Sequence, residues 1–443
     1  MAGSELLPML AIPAVGWGVA LLIGWPAARA ARLRRFLKDT PTSKTKGVFI
    51  GHVEVQGTAE TQVPFTSYLA ERPCVHYAWS VGEHWSRLVT ETYRDSKGNT
   101  RTRTRRESGV AIVASGGETQ PFYLKDETGY LLVRPDGARI EALTTFRETV
   151  PRGHPLYHAK GPAGAVAHSD HLRTFSETAI PLHQPLFVAG TARERHDVVA
   201  PEIAASRDAP IFVISVHGED SIGRGYAWAY WLWTVFGAFV AAVSSFFATL
   251  ALAGTRDPEP WMSFAGIAAG LGLYALYHLA IWAWMAFNSL QRLRQRVRAA
   301  AANIDVELKR RHDLFPRLVE VVKGARGHER ATQELVATLR AQAVARRESG
   351  DVAAVSPAVV AIAEAYPELR ANTAFLELQR TLSDTETRIA LSREYHNGIV
   401  AGFNARLLVV PDRLVARLAG MRPFAFFEAK SLEREAPRVA LAD

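Results

Sequence analysis

Cysteine is nearly absent from this chain of 443 residues, which holds Cys74 alone. That excludes an intramolecular disulfide and any cysteine-built zinc site of the finger or RING type, each of which needs several thiols. A single thiol reads as a small core hydrophobe. Charged residues are missing from three long windows, 6–28, 226–253 and 261–290. Each exceeds the ~20 residues a helix needs to cross a hydrocarbon core of ~30 Å. Trp17, Trp25, Trp228, Trp231, Trp233, Trp261, Trp282 and Trp284 fall inside them, several near the ends, where interfacial aromatics belong. The first window has no Lys or Arg before it and a long apolar stretch, so it reads as an uncleaved anchor interrupted by Pro13 and Pro26. A GxSxG elbow is absent too, and without it no Ser-His-Asp set has a fixed nucleophile.

What is present in excess is positive charge, a net +8. Its location decides its meaning. Arg29, Arg32, Arg34, Arg35, Lys38, Lys44 and Lys46 follow the first window, and Arg292, Arg294, Arg296 and Arg298 follow the third. The loop between windows two and three carries only Arg256 against Asp257 and Glu259. Basic residues collect on the cytoplasmic side, so the N-terminus is expected outside, with 29–225 and 288–443 inside. The eight flanking arginines at 29, 32, 34, 35, 292, 294, 296 and 298 are expected to anchor the spans to anionic lipid, at ~1 kcal/mol each. Nucleic acid is not expected as a partner, because the basic run RTRTRR at 101–106 has only Tyr93 as an aromatic neighbour.

Between the first two spans, residues 47–215 read as a small, mostly β cytoplasmic domain. GVFIGHVEVQG alternates apolar and polar residues with the period of a half-buried strand. Lys97-Gly98-Asn99 and Pro135-Asp136-Gly137 are turn signals. Six histidines lie at 154, 158, 168, 171, 183 and 196. If 168–171 were helical, His168 and His171 would share a face with Asp170 nearby, and a metal-dependent hydrolase would be the enzymatic alternative. The surrounding Gly and Pro favour a loop of solvated side chains, and neither a metal nor a cofactor is expected.

Particular segments here resemble a known domain. GHVEVQGTAE (51–60), LAERPCVHYAW (69–79) and FSETAIPLHQPLFVAGTA (175–192) are similar to the GIDE, or beside-a-membrane, domain, which also occurs in a mitochondrial outer-membrane ubiquitin ligase. In such ligases the chemistry belongs to a separate RING, so with Cys74 alone ligase activity does not carry over.

After the third span no Gly or Pro interrupts residues 288–315, so the helix is expected to continue into the C-terminal region, 291–430. Ile304, Leu308, Phe315, Leu318 and Val322 form one stripe, with Asp305–Lys309 and Glu307–Arg311 as acid-first pairs on the polar side. Pro316 is expected to kink this helix, a break being the alternative. A shorter helix is expected over 328–348. Over 373–408, Phe375, Leu378, Leu382, Ile389, His396, Ile399 and Phe403 follow heptad-like spacing, with Thr385 and Ser392 in the seam. The fold class expected is an α+β membrane protein: three transmembrane helices, a β domain, and an antiparallel helical bundle continuous with the third span.

This C-terminal region resembles the LemA family. The pattern is carried by NIDVELKRRHDLFPRLVEVVKG (303–324), with Pro316 at a position where the family has proline as a rule. It continues in AYPELRANTAFLELQRTLSDTETRIALSREYHNGIVAGFNARL (365–407) and MRPFAFFEA (421–429). His396 and Ala301 depart from residues common in the family. The resemblance implies a membrane-anchored bundle without established catalysis, linked to envelope stress and membrane-associated complexes. The function expected is therefore a non-enzymatic scaffold or adaptor of the bacterial inner membrane, with lipids, further copies of the chain and unidentified proteins as partners. A membrane sensor is a third reading.

Overall fold

The computed structural model describes residues 3–94, 100–195, 197–198, 200–206, 211–253, 259–325 and 373–427. The helix expected over 328–348, His196 and the turn at Lys97-Gly98-Asn99 lie outside them. The chain divides into a β unit, Thr42–Ile222, and a helical unit made of Met1–Pro41 and Gly223–Asp443.

Three helices of the helical unit are long and apolar enough to cross a membrane. They belong to α1 (Gly3–Lys38), α3 (Gly218–Ala253) and α4 (Pro260–Ala325); α2 is a short helix of the β unit, Pro155–Ala159. Pro13 and Pro26 do not interrupt α1. The helices meet through small residues: Ala20 and Ala241 are fully buried around Tyr274. A Cβ on Gly237 would stand 2.1 Å from the Tyr274 hydroxyl oxygen, so this close approach of α3 and α4 requires glycine. The Tyr277 hydroxyl donates to the Leu21 carbonyl at 3.0 Å, joining α4 to α1.

Helix α4 continues without a break beyond its apolar portion, through Pro316 to Ala325. The alternative of a break there is therefore corrected: the proline sits exposed within helical backbone. Helix α5 (Thr373–Leu408) runs antiparallel to α4, since Arg406 meets Ser289 at one end and Arg388 meets Glu307 at the other. The seam residues Phe375, Leu382, Thr385, Ile389, Ser392, His396, Ile399 and Phe403 are all buried. Of these, Ile399 and Phe403 pack with Val400 on Leu290, Leu293, Val297 and Ala300, together with Ala416 of α6 (Asp412–Leu418). Glu307, expected on the polar side of α4, also meets the neighbouring helix. It is buried and accepts from Arg388 at 2.8 Å, because its position on α4 faces α5.

The β unit holds two sheets. In the first, five strands close a ring: β2 (Gly51–Glu60), β6 (Phe122–Lys125), β7 (Tyr130–Val133), β12 (Pro201–Ala204) and β11 (Pro185–Glu194), which pairs again with β2. Neighbours are antiparallel except β7 and β12. This is the strand order of an OB-type barrel. Alternate residues point inward, so Val53, Val55, Phe122, Leu124, Leu131, Val133, Val188 and Ile203 fill the centre. The short strands β1 (Thr42–Ser43), β8 (Arg139–Glu141) and β13 (Val213–Ser215) extend the ring. At Pro135–Ala138 the Ala138 N–H donates to the Pro135 carbonyl at 2.9 Å, and Gly137 takes φ +77°, the left-handed position the turn signal anticipates.

The second sheet is inserted into the barrel sequence. Its strands are β3 (Phe65–Thr66), β4 (Pro73–Arg94), β5 (Thr100–Thr119), β9 (Leu143–Pro151) and β10 (Ser169–Pro181). β4 has β10 on one side and β5 on the other, and β5 pairs with β4 from Thr119 to Thr100.

Candidate functional site: an ionic cluster at the ends of the spans

Two aspartates stand among the basic residues that follow the spans, and they organise them. Asp39 lies just past the end of α1, and Asp412 opens α6. Arg406 of α5 reaches both. One of its terminal nitrogens donates to Asp39 and, at 2.8 Å, to Ser289 of α4. Its Nε and the other terminal nitrogen both donate to Asp412, the Nε at 2.8 Å. Ser289 in turn donates to Asp39. Arg35 approaches Asp412 at 3.4 Å, and Arg296 donates to the Asp39 carbonyl at 3.1 Å. Four helices, α1, α4, α5 and α6, therefore converge on one guanidinium.

Burial alone would lower the Arg406 pKa. The two carboxylates override that and raise it, so the group is charged at any physiological pH. The planar fork of arginine suits this role, since its donors can serve several acceptors at once. The arrangement is a set of ion pairs and hydrogen bonds that link helix to helix. Its chemistry is positional: it fixes the end of α1 against α4, α5 and α6.

Of the eight arginines expected to flank the spans, several have partners within the chain. Arg29 lies over the Trp25 ring at 5.8 Å, Arg32 over Trp284 at 5.4 Å and Arg35 over Trp282 at 5.7 Å. Arg296 lies 4.8 Å from the Phe36 ring centre. Arg34, Arg292 and Arg294 are half-buried, and Arg298 is exposed. Sequence reading missed Asp39 and Asp412; the available signal was an acid at each end of a basic helix terminus.

A second device holds the chain beyond α6. Asn404 donates to the Phe424 carbonyl at 2.8 Å and accepts from its N–H at 3.0 Å. Two turns earlier on α5, Asn397 does the same for Phe427, at 3.1 and 2.8 Å. The rings follow: Phe424 packs 5.4 Å from Phe403, and Arg393 lies over Phe427 at 4.7 Å. The aromatic tail thus closes the end of the helical packing, with Phe426 left about half exposed. Asn397→Ala/Asn404→Ala should release residues 421–427 at a cost of about 2 kcal/mol. Faster hydrogen exchange confined to that segment is the expected readout.

The described histidines are dispersed. His154 caps α2 by accepting from the Leu156 N–H at 3.3 Å, and His183 pairs with Glu60 at 2.9 Å. His168 and His171 do not share a helix face. His171 lies in β10, and both take positive φ where the chain turns into that strand. Among the described residues no three His, Cys, Asp or Glu side chains converge on a metal position. Cys74 is fully buried in β4, where burial, then the charge of Glu177, pushes its thiol up to about 11. A thiol so protonated is a poor nucleophile.

What does organise the histidine-bearing loop is a buried ion pair. Arg173 of β10 bonds Glu83 of β4 through Nε at 3.2 Å and a terminal nitrogen at 3.0 Å, with both side chains essentially excluded from solvent. Its remaining donors reach the carbonyls of Tyr157, Pro162 and Gly164 at 2.7–2.9 Å. The Tyr157 ring lies 4.0 Å from the guanidinium.

Residues 300–441 match the family model described as LemA family, and residues 89–249 match the GIDE model, described as E3 ubiquitin ligase. No curated protein and no solved structure matches the chain.

Proposed function

We propose that this chain, with its LemA region and its GIDE region on one set of membrane helices, is a non-enzymatic scaffold of the bacterial inner membrane. It presents the β unit and an antiparallel helical bundle at the cytoplasmic surface. The observation that carries this reading is α4, one helix of 66 residues that leads from an apolar span directly into the LemA region. A stiff rod of that kind transmits the position of the span to whatever the bundle holds. The ionic cluster supports the same reading, since it ties the first span to the same rod. The distribution of basic residues supports the orientation with both units inside.

The GIDE model's description names a ligase, and a RING ligase recruits its partner on a surface that zinc-held thiolates and imidazoles fold. With Cys74 alone in the sequence, that zinc architecture has no ligand set here. A scaffold is defined by what it holds. Crosslinking in native membranes followed by mass spectrometry should therefore yield discrete adducts that include a second copy of the chain. In detergent, light scattering should give a protein mass that is a multiple of 48.7 kDa. A single-chain mass with no crosslinked adduct would overturn the proposal. Pro316→Ala should leave the helix content unchanged by circular dichroism while altering the assembled mass, because a proline inside a helix acts on its direction.

A further inference from the structure

Ser86 is the last residue of β4 to meet the β10 side, through the His168 carbonyl and Asp170, and beyond it β4 continues paired to β5. Residues 87–94 and 100–107 thus form a two-stranded ribbon about 26 Å long, at ~3.3 Å per residue. A lone ribbon of this kind is marginal in water and gains from a surface to lie on. Its composition specifies the surface. These two segments hold six arginines, at 87, 94, 101, 103, 105 and 106, and two acids, Glu91 and Glu107. The two acids are taken by Arg87, at 2.9 Å from Glu107, and by Arg105, at 2.7 Å from Glu107 and 3.9 Å from Glu91.

The cross-strand register sorts the side chains by face. Leu88 opposite Arg106, His84 opposite Val110 and Gly82 opposite Ile112 lie on one face, followed by threonine pairs 90/104 and 92/102. Leu88, Val110 and Ile112 are 74%, 55% and 73% exposed. One face of the ribbon, continued into the adjoining stretch of β4 and β5, therefore carries Leu88, Val110 and Ile112 together with Arg106 and Arg94. Arg87, Arg101, Arg103 and Arg105 lie on the opposite face and add to the ribbon's net positive charge. Apolar side chains exposed beside clustered arginines are the chemistry of an anionic lipid–water boundary. The ribbon's domain is linked at both ends to membrane-spanning helices, α1 ending at Lys38 and α3 beginning at Gly218, so such a boundary is always at high local concentration.

We infer that the β4–β5 ribbon is a second, electrostatic membrane attachment, docking Leu88, Val110 and Ile112 on the anionic phospholipid headgroups of the bilayer the chain crosses. This rests on the reading of α1, α3 and α4 as bilayer spans. The attachment is reversible, and its strength follows lipid charge and ionic strength.

The test uses the full chain carrying Leu88→Cys, reconstituted into nanodiscs. Cys74 is fully buried, so the introduced thiol takes a fluorescent label. Nitroxide-bearing lipid should quench that label in discs with about one-third anionic phospholipid at roughly 0.1 M salt. The ratio of quenched to unquenched label should fall at least about tenfold in zwitterionic discs, in ~1 M salt, and in the exposed-site variant Arg94→Gln/Arg106→Gln. A chain that fails to enter discs would overturn the spanning reading and the inference together. A chain that enters them, with the label unquenched in anionic discs or equally quenched in every lipid and variant, overturns the inference alone. Loss of quenching only on adding an acidic protein, with no dependence on lipid charge, assigns the ribbon to a protein partner and likewise overturns it.

Discussion

Replacing Arg173 with leucine should destabilise the β unit by about 3–5 kcal/mol, because Glu83 is then left buried and ionised without a partner. The same change strips the bonds to the carbonyls of Tyr157, Pro162 and Gly164, so the loop preceding β10 should become the first site of proteolytic nicking. Local opening free energies from hydrogen exchange of β4 and β10 amides in the full chain provide the measurement. The double variant Arg173→Leu/Glu83→Leu should recover much of the loss, since an apolar pair of similar volume removes the stranded charge.

The effect should depend on pH in a direction that can be worked out. Burial opposes ionisation of Glu83, but hydrogen bonds from Ser169 and Arg173 and the guanidinium charge outweigh it and hold its pKa below the ordinary carboxylate value. In the unfolded chain Glu83 titrates near ~4.3. Its stabilising contribution is therefore fully present above that pH and is lost as pH falls through the lower folded value. In Arg173→Leu the buried carboxyl has lost its counter-charge, and its pKa moves upward. The difference between wild type and variant should accordingly be largest near neutrality and shrink as pH drops below about 4. A constant difference across that range would count against the ion pair as its source.

The second large effect concerns the ionic cluster. Arg406→Gln should cost about 3 kcal/mol, since Asp39 and Asp412 are both largely buried and Arg35 reaches only the latter. Hydrogen exchange should accelerate in α6 and the last turns of α5 together, because one guanidinium serves both. Exposed Arg298→Gln, a neighbour on α4, should change stability by less than ~0.5 kcal/mol. Equal effects of the two substitutions would show that total charge near the membrane matters and the cluster does not.

These features differ in how far they could be read from residues alone. The spans were legible because a bilayer imposes a length and excludes charge, and both constraints act on contiguous residues. The α5 seam was legible for a related reason: Phe375, Leu382, Ile389, His396 and Phe403 repeat every seven positions, and that period survives any choice of partner. The turn at Pro135–Ala138 needs only Gly137 to reach φ +77°. Closure of the barrel was not legible. Alternation in 51–60 shows that one side of β2 is buried, but nothing local says that its two edges go to β6 and β11. The partnership of Glu307 with Arg388 was not legible either, because the i,i+4 rule describes an isolated helix and says nothing of burial against α5. Asp39 and Asp412 lie 373 residues apart in sequence numbering, and only the folded chain brings them to one guanidinium. For the histidines, composition suggested a cluster that the backbone disperses, one to a helix cap, one to a salt bridge and one into a strand.

The interleaving of the two β sheets also fixes an order of events during synthesis. Barrel strand β7 ends at Val133, yet its partner Ile203 is made seventy residues later, after all of the inserted sheet. β2 likewise waits for β11. The inserted sheet can complete its own pairings once β10 has emerged, but the barrel cannot close until Ala204 has been added, shortly before the span in α3 begins. Loop closure over such separations is slow compared with local pairing. Between the completion of β7 and that of β12, the β unit must therefore hold β2, β6 and β7 as an open three-stranded meander, tethered to α1 and not yet to α3.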